Sequence, residues 1–330
     1  MSGPAARVAR ALVPAIAFAG LGAALPARAE LPQDALGWLQ RAASAARNAS
    51  YSGTFVHTNG ERTSTMRITH VFVNGEERER IEPLDGPPHE IVRRNEEMYC
   101  YFPDAKTVRL DRRVNGRFFP AVFQGPPEAL AENYELKLGK VERLLGHECQ
   151  WVRLEPKDLL RYAQRLCAEL ASGLVIRAKT LNERRQVIEQ YTFTDLKLGP
   201  HVARSDANSV FQPRTKQWTT DAAPREEAKG VDTGWTISAA PPGFRKVTEM
   251  RRTLPGRPQP VSQIILSDGF ANVSVFVEAA RQPSRTEEAA SQDGSNSVFV
   301  RPLGENLVTV LGEVPPATAE QVGRSVARRP

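Results

Sequence analysis

The sequence predicts a mainly β protein of the α+β class, built from two domains. Apolar and polar residues alternate over much of the chain between residues 51 and 196, which is the period of a β-strand. A second series of short predicted strands begins at Trp235, and a chain of 330 residues exceeds what one hydrophobic core usually organises. Residues 206–230 lack periodicity and have the mixed polar composition of a linker. We therefore assign residues 30–205 and 231–330 to separate domains.

Residues 1–29 have the pattern of a cleaved signal peptide. Arg7 and Arg10 precede an apolar run, and Ala27-Arg28-Ala29 is the small-x-small pattern that signal peptidase accepts. The apolar run is shorter than the roughly 20 residues that span a membrane, although an uncleaved anchor is the alternative. No cysteine follows the cleavage site, so we expect export as a soluble protein without a lipid anchor.

A helix opens the predicted mature chain. Asp34 is suited to cap it, and Leu36, Leu39, Ala43 and Ala46 recur at helical spacing. The strands predicted for the N-terminal domain are residues 51–57, 65–73, 77–84, 89–94, 98–102, 107–110, 134–144, 147–155, 161–167, 174–182 and 187–196, with a short helix at 126–132. Those predicted for the C-terminal domain are residues 235–237, 244–250, 261–266, 272–278, 297–301 and 306–311, before a helix at 316–326.

The three cysteines match no zinc or redox motif. A chain reversal between Lys157 and Asp158 would place Cys149 and Cys167 nearly opposite each other on neighbouring strands. The sequence leaves two alternatives: a disulfide between them, or two ordinary buried thiols. Cys100 lies between two tyrosines and is predicted to be a core thiol.

Catalytic chemistry finds little support in the sequence. The five histidines are scattered singly, no metal-ligand spacing or nucleophile motif is present, and we expect neither an enzyme nor a cofactor or metal site. His57 and His70, one on each strand of the first predicted hairpin, could face a common interior, but such residues are more often satisfied by neighbours. Loss of the signal peptide removes three arginines from a formal net charge of +6, and no basic tract suggests nucleic acid.

Six segments, in order along the chain, resemble landmarks of the MucB/RseB family. They are residues 84–93 (LDGPPHEIVR), 99–104 (YCYFPD), 172–177 (SGLVIR), 241–244 (PPGF), 266–270 (LSDGF) and 311–319 (LGEVPPATA). Two features depart from the family pattern: residues 204–230 are poor in apolar side chains, and Cys167 stands where a bulky apolar residue is usual.

The resemblance implies a fold and a function. The fold is an N-terminal domain shaped like the lipoprotein carriers LolA and LolB, an unclosed antiparallel β-barrel with plugging helices, and a smaller C-terminal α+β domain. The function that the resemblance implies is that of a periplasmic negative regulator of an envelope-stress sigma factor. It binds the periplasmic segment of a membrane anti-sigma factor of the RseA or MucA kind, shields it from site-1 proteolysis and is released by lipopolysaccharide or another lipid. A periplasmic lipid or lipoprotein carrier is the alternative, and a homo-oligomer remains open.

An unclosed barrel would offer an apolar interior to acyl chains, which gain roughly 0.8 kcal/mol per buried methylene. The candidate lipid-binding residues are Phe55, Met66, Ile68, Phe72, Met98 and Phe102. The alternative is that these side chains simply fill the barrel, as in most small barrels. Arg93, Arg109 and Arg112 are candidates for contacting phosphate at the rim, since arginine binds phosphate bidentately; a solvated sheet edge is the ordinary explanation.

Overall fold

The computed structural model describes Met1, Gly3 and residues 30–95, 97–111, 118–222, 231–253, 259–280 and 287–329. The predicted signal peptide, Arg112 and residues 223–230 of the predicted linker therefore lie outside the described residues, apart from Met1 and Gly3. Contacts divide the chain into two units, Met1–Leu31 and Pro32–Pro330, and every helix and strand described here belongs to the second.

Helix α1 (Ala35–Asn48) opens the folded chain as predicted. The Asp34 side chain caps it by accepting a hydrogen bond of 2.7 Å from the Gly37 backbone N–H, one of the donors that a helix start leaves unpaired. Trp38 and Leu39 are almost fully buried. The helix is therefore anchored by its apolar face.

Twelve strands form one sheet. They are β1 (Tyr51–Asn59), β2 (Arg62–Val73), β3 (Glu76–Pro83), β4 (Glu90–Arg94), β5 (Glu97–Phe102), β6 (Thr107–Asp111), β7 (Tyr134–Leu144), β8 (His147–Pro156), β9 (Ala163–Glu169), β10 (Val175–Leu181), β11 (Val187–Leu198) and β12 (Thr219–Ala222), with a short helix, α2 (Leu130–Asn133), before β7. Their order across the sheet is β12-β6-β5-β4-β3-β2-β1-β11-β10-β9-β8-β7, so the two edge strands do not pair with each other. The predicted unclosed, mainly antiparallel sheet is confirmed.

The sheet curves around α1, because the helix contacts β2 as well as β7 and β8 on the other side of the sheet's centre. We call the face toward α1 the inner face and the opposite one the outer face. Phe55, Ile68, Leu166 and Phe193 belong to the inner core, and Phe119, from the segment after residue 117, packs among them. The interior is thus largely filled by side chains.

The structure differs from the sequence prediction in the first part of the linker. Residues Arg204–Ala207 and Gln212–Gln217 form 3-10 turns, and β12 pairs in parallel with β6. Val202 and Ala207 pack with Val71, while other side chains of this segment cover the outer face over β4 to β6. Periodicity could not reveal this segment, since it follows the sheet in short irregular turns.

The C-terminal part has its own sheet and core. Its elements are β13 (Trp235–Ile237), β14 (Arg245–Arg252), β15 (Val261–Ser267), β16 (Asn272–Ala279), β17 (Ala289–Asp293), β18 (Asn296–Leu303), β19 (Asn306–Gly312), α3 (Pro316–Arg324) and β20 (Val326–Arg328). Six strands form an antiparallel sheet in the order β14-β15-β16-β19-β18-β17, β13 pairs with β20, and α3 packs on β18 and β19. A Cβ at Gly323 would overlap the Phe299 ring, so glycine permits this close approach. The predicted α+β class is confirmed.

Cys149 and Cys167 are joined by a disulfide, but not in the predicted register. Cys149 pairs with Glu169, and Cys167 pairs with Trp151, so the two cysteines are diagonal neighbours with their Cα atoms 5.4 Å apart. The chain reversal between β8 and β9 is longer than a tight turn centred on Lys157 and Asp158. The longer reversal shifts the register.

Reduction of this disulfide is expected to lower the free energy of unfolding by about 3 kcal/mol, because it closes a loop of 18 residues. Urea titrations of the mature protein with and without dithiothreitol measure the difference. A Cys149→Ala/Cys167→Ala variant should lose the response to reductant, whereas Cys100→Ala should retain it. Equal urea midpoints for oxidised and reduced protein would contradict the expectation.

Candidate functional site at the domain junction

The six candidate lipid-binding residues all belong to one sheet face. Strand pairing places Phe55 opposite Met66. It also places Ile68 opposite Ile81, Ile81 opposite Ile91, and Ile91 opposite Cys100 on β5. Met98 and Phe102 share the face of Cys100, two residues on either side, as Phe72 shares that of Ile68. Phe55 and Ile68 are buried in the core, whereas Met66, Phe72, Met98 and Phe102 are half-buried.

The described rim arginines differ from each other in environment. Arg93 is only 5% exposed, and its Nε lies 3.6 Å from a carboxylate oxygen of Glu79. Arg109 is exposed, with its guanidinium 5.9 Å from the centre of the Phe102 ring. Arg93 is buried and paired, so its environment is not that of a phosphate contact at an open rim. Arg109, in contrast, faces solvent.

A cavity of about 260 Å³ lies where the inner face meets the C-terminal part. One wall is aromatic: the Phe119 and Tyr191 rings stack with centroids 5.2 Å apart, and Phe270 contributes from the C-terminal side. The other lining residues are Ala121, Val122, Gln124, Gln164, Ala178, Thr180, Glu189, Asn272 and Glu313. None of the six candidate lipid-binding residues lines this cavity.

Glu189 is the centre of a hydrogen-bond network beside this cavity. Its Oε1 lies 2.9 Å from His57 Nε2 and accepts a bond of 3.2 Å from the Tyr191 hydroxyl, while Thr180 donates to Oε2 over 3.3 Å. The His57 ring stacks on the Tyr191 ring with centroids 4.0 Å apart. His57 is therefore satisfied by neighbours, and so is His70, whose Nδ1 lies 2.7 Å from the Ala49 carbonyl oxygen.

Glu313 brings a second carboxyl group to the same cavity from the C-terminal part. Its side chain lines the cavity and is exposed to solvent at the opening. Desolvation by the neighbouring protein groups, together with the negative charge of Glu189, raises the pKa of Glu313 to about 7. The cavity thus contains a carboxyl group that changes charge near neutral pH.

A buried arginine joins the two parts of the structure. Arg161, in the reversal between β8 and β9, has a fully buried side chain and donates from Nη1 to Asp268 Oδ2 over 2.7 Å. Its other nitrogens donate to the Asp158 carboxylate and, over 2.6 Å, to the Pro242 carbonyl oxygen. The rings of Tyr134 and Phe244 lie 5.6 and 5.3 Å from its guanidinium carbon.

Asp268 is equally well satisfied. Its Oδ1 accepts from the backbone N–H groups of Phe270 and Ala271, and its Oδ2 accepts from Arg161 and from the Tyr134 hydroxyl. Burial and the Asp268 carboxylate raise the pKa of Tyr134 well above its ordinary value. The pair is thus embedded in a network without an unpaired charge.

A second contact between the two parts is made by two hairpin tips. Asn59 donates to Ser295 Oγ over 3.2 Å and accepts from the Ser295 backbone N–H over 2.8 Å, and Arg62 pairs with Asp293 at 2.7 Å. Gly294 has a φ of +59°, and a Cβ there would overlap Asn59 and lie 2.5 Å from the Gly60 backbone nitrogen. Glycine is required at this position for both reasons.

The sequence reasoning missed this junction. The Pro241-Pro242-Gly243-Phe244 and Leu266–Phe270 segments were singled out as landmarks, and the structure places both around Arg161. Arg161 itself carried no signal beyond its position at the start of a predicted strand. The pairing of Arg161 with Asp268 joins residues 107 apart in sequence, which no local pattern indicates.

Within the described residues, no group of three or more His, Cys, Asp or Glu side chains is arranged to hold a metal ion. None of the helices in this part of the chain has the length and apolar character needed to cross a membrane.

Two family models match the chain: the MucB/RseB N-terminal domain over residues 34–211 and the MucB/RseB C-terminal domain over residues 229–327. The chain belongs to the MucB/RseB family. The sigma factor AlgU regulatory protein MucB of Pseudomonas aeruginosa is 32% identical over 93% of this chain and 95% of its own length. The sigma-E factor regulatory protein RseB of Escherichia coli K12 is 23% identical over 87% and 89%.

Solved MucB structures share the fold over most of the chain. MucB in complex with MucA(peri) superimposes with a TM-score of 0.73 at 29% identity, covering 90% of this chain and all of that one. A structure of MucB alone gives a TM-score of 0.63 at 26% identity, covering 89% and 98%. The MucB/RseB relatives are regulatory proteins of sigma factors, and this regulatory class agrees with the sequence interpretation.

Removal of the Asp268 carboxylate is expected to destabilise the protein by about 3–5 kcal/mol, because it leaves Arg161 buried with part of its charge unpaired. A double-mutant cycle of Arg161→Met and Asp268→Leu, followed by urea unfolding, should give a double variant less destabilised than the sum of the single ones. Arg185→Ala, which removes the exposed partner of the ion pair with Glu155, serves as control and should cost under about 1 kcal/mol. Strict additivity would contradict the coupling.

Replacement of Glu313 by Gln should flatten the pH dependence of stability between about pH 4.5 and 7. The folded state holds the Glu313 proton more tightly than the unfolded chain does, so wild-type stability falls as pH rises through this window. At pH 8 the Gln variant should therefore be the more stable of the two. Thermal unfolding across this pH range measures the effect, with Glu305→Gln as an exposed control. Parallel profiles for wild type and Glu313→Gln would exclude this role.

Proposed function

We propose that this chain is a periplasmic, non-enzymatic negative regulator of an envelope-stress sigma factor. It binds the periplasmic segment of a membrane anti-sigma factor and covers the site that the site-1 protease would cut. Lipopolysaccharide or another lipid releases it. The observation that carries the proposal is the likeness, over 90% of this chain, to MucB in complex with MucA(peri).

The domain arrangement supports a binding role. The structure matches complexed MucB with a TM-score of 0.73 and MucB alone with 0.63, so we take the arrangement described here as the one that binds. In this proposal the C-terminal domain, residues 231–330, supplies contacts to the anti-sigma segment, and the N-terminal domain, residues 30–205, senses lipid. Protection then requires no bond to be made or broken by the regulator itself.

Release by lipid sets a quantitative requirement. A ligand shifts an equilibrium only by the difference in its affinity for the two states, so the lipid must favour an arrangement that binds the anti-sigma segment weakly. The junction is suited to such a shift, because the Arg161 network and the hairpin-tip contact both span the two parts while a cavity of about 260 Å³ lies beside the inner face.

Digestion of the anti-sigma periplasmic segment by its site-1 protease tests the function. We expect the mature protein to slow cleavage in proportion to occupancy, and titrated lipopolysaccharide to restore it. Gly294→Ala should weaken binding of the segment about 10-fold, because the added Cβ separates the hairpin tips and lowers the population of the binding arrangement.

Gly304→Ala is the matched control for this variant. Gly304 has a φ of +58°, nearly that of Gly294, but a Cβ there would meet nothing within 4 Å. Backbone strain is therefore equal in the two variants, and only Gly294→Ala disturbs the junction.

Full protease accessibility of the bound segment would refute occlusion. Lipid transfer between vesicles without any binding of the segment would favour the carrier alternative.

A further inference from the structure

Four basic residues form a row across four neighbouring strands of the outer face. Lys137 on β7 pairs with Arg153 on β8, Arg153 pairs with Arg165 on β9, and Arg165 pairs with Lys179 on β10. Directly paired residues share a face, and neighbouring strands lie about 4.8 Å apart. The row therefore presents a positive charge at every strand.

Such a row is unfavourable for folding, because like charges directly opposite each other on paired strands repel. Burial and the positive charges of Arg177 and Arg165 lower the pKa of Lys179. Nearby carboxylates offset part of the charge: Glu135 pairs with Lys137 at 2.8 Å, Glu142 pairs with Arg177 at 3.3 Å, and Glu155 and Glu183 line the same hollow as Lys137 and Arg153.

The arginines of this region are incompletely satisfied by the protein. The Nε atoms of Arg153, Arg165 and Arg177 are buried and have no hydrogen-bond partner among the described residues, so only the terminal guanidinium nitrogens are left to meet an external phosphate. Arg153 otherwise donates weakly to the Leu138 carbonyl oxygen, over 3.4 Å. Trp151 lies in the same region, with Lys179 Nζ 5.6 Å from its ring centre. The segment that covers the outer face elsewhere packs on the opposite half of the sheet.

We propose that the outer face of β7 to β10, centred on Lys137, Arg153, Arg165 and Lys179, docks onto the phosphate groups of an anionic phospholipid surface. Arginine binds phosphate through paired N–H donors, and basic residues near an anionic bilayer are attracted to it. A tryptophan beside the row suits the boundary between apolar and aqueous phases. One free phosphate ion can meet two of these cations but not all four, so an array of phosphates fits the row better.

This surface is distinct from the inner face and from the Arg93 and Arg109 rim. It goes beyond the proposed function and requires of it only that the chain meets a membrane. Docking would hold the regulator at the bilayer, where a membrane anti-sigma factor emerges, and leave the domain junction free for the partner.

Vesicle co-sedimentation of the mature protein tests the proposal. Vesicles of phosphatidylcholine containing phosphatidylglycerol should bind the protein, and vesicles of phosphatidylcholine alone should not. Arg153→Gln/Arg165→Gln should lower partitioning onto the anionic vesicles roughly 30-fold, as expected for two basic residues at such a surface. Arg214→Gln/Lys216→Gln is the control for net charge, because it makes the same change in charge at two exposed residues outside the row. An equal loss in the two double variants would overturn the proposal.

Two further measurements separate docking from other roles. Arg165→Gln should be at least as stable as the wild type at low salt, because it relieves repulsion; clear destabilisation would identify the row as structural and overturn the proposal. Inorganic phosphate should displace the vesicles no better than chloride at equal ionic strength. Specific displacement by phosphate would show a site for the free ion, and binding to polyglutamate without binding to vesicles would show an acidic-protein site. Either result would overturn membrane docking.

Discussion

The ion pair between Arg161 and Asp268 is the constraint on which the domain arrangement depends. Both side chains are fully buried, and a buried charge without its partner costs several kcal/mol. Arg161 comes from the β8–β9 reversal and Asp268 from the β15–β16 turn. Separation of the two domains would therefore leave each charge without its partner. The reversal is itself shaped by the pair, since Asp158 binds both the Leu160 backbone N–H and Arg161. The same arginine thus takes part in the local structure of one domain and in the contact with the other.

The contacts on the two sides of the junction differ in strength. The Arg161 network is buried and fully satisfied, whereas the tip contact between Asn59 and Ser295 is small and flanked by the exposed Arg62–Asp293 pair. Exposed pairs contribute little, so the hairpin tips would separate before the Arg161 network does. Separation of the tips would disturb the network beside the cavity, because the Asn59 amide lies 3.5 Å from Glu189.

Local sequence chemistry predicted the strands and α1 well, because alternation, turn residues and the Asp34 cap act over a few positions. It failed where tertiary contacts decide. Strand β12 forms only because β6 offers it an edge, and strands β17 and β20 were not predicted at all. The Cys149–Cys167 register was misplaced because the β8–β9 reversal, which contains the Asp158–Arg161 contact, is longer than a tight turn. Of the candidate site, the shared face of the apolar residues followed from periodicity, but the cavity residues come from distant segments.

Each face of the sheet brings like charges together, negative on the inner face and positive on the outer face. The inner face ends in a cavity where Glu189 and Glu313 repel each other, and the outer face carries opposed cations from Lys137 to Lys179. Each arrangement lowers the stability of the isolated protein, whereas apolar or oppositely charged residues at these positions would raise it. Departures from local consistency are expected at functional sites. On this argument an anionic surface at the outer face and a partner at the junction would each stabilise the protein, so binding on either side is coupled to folding stability.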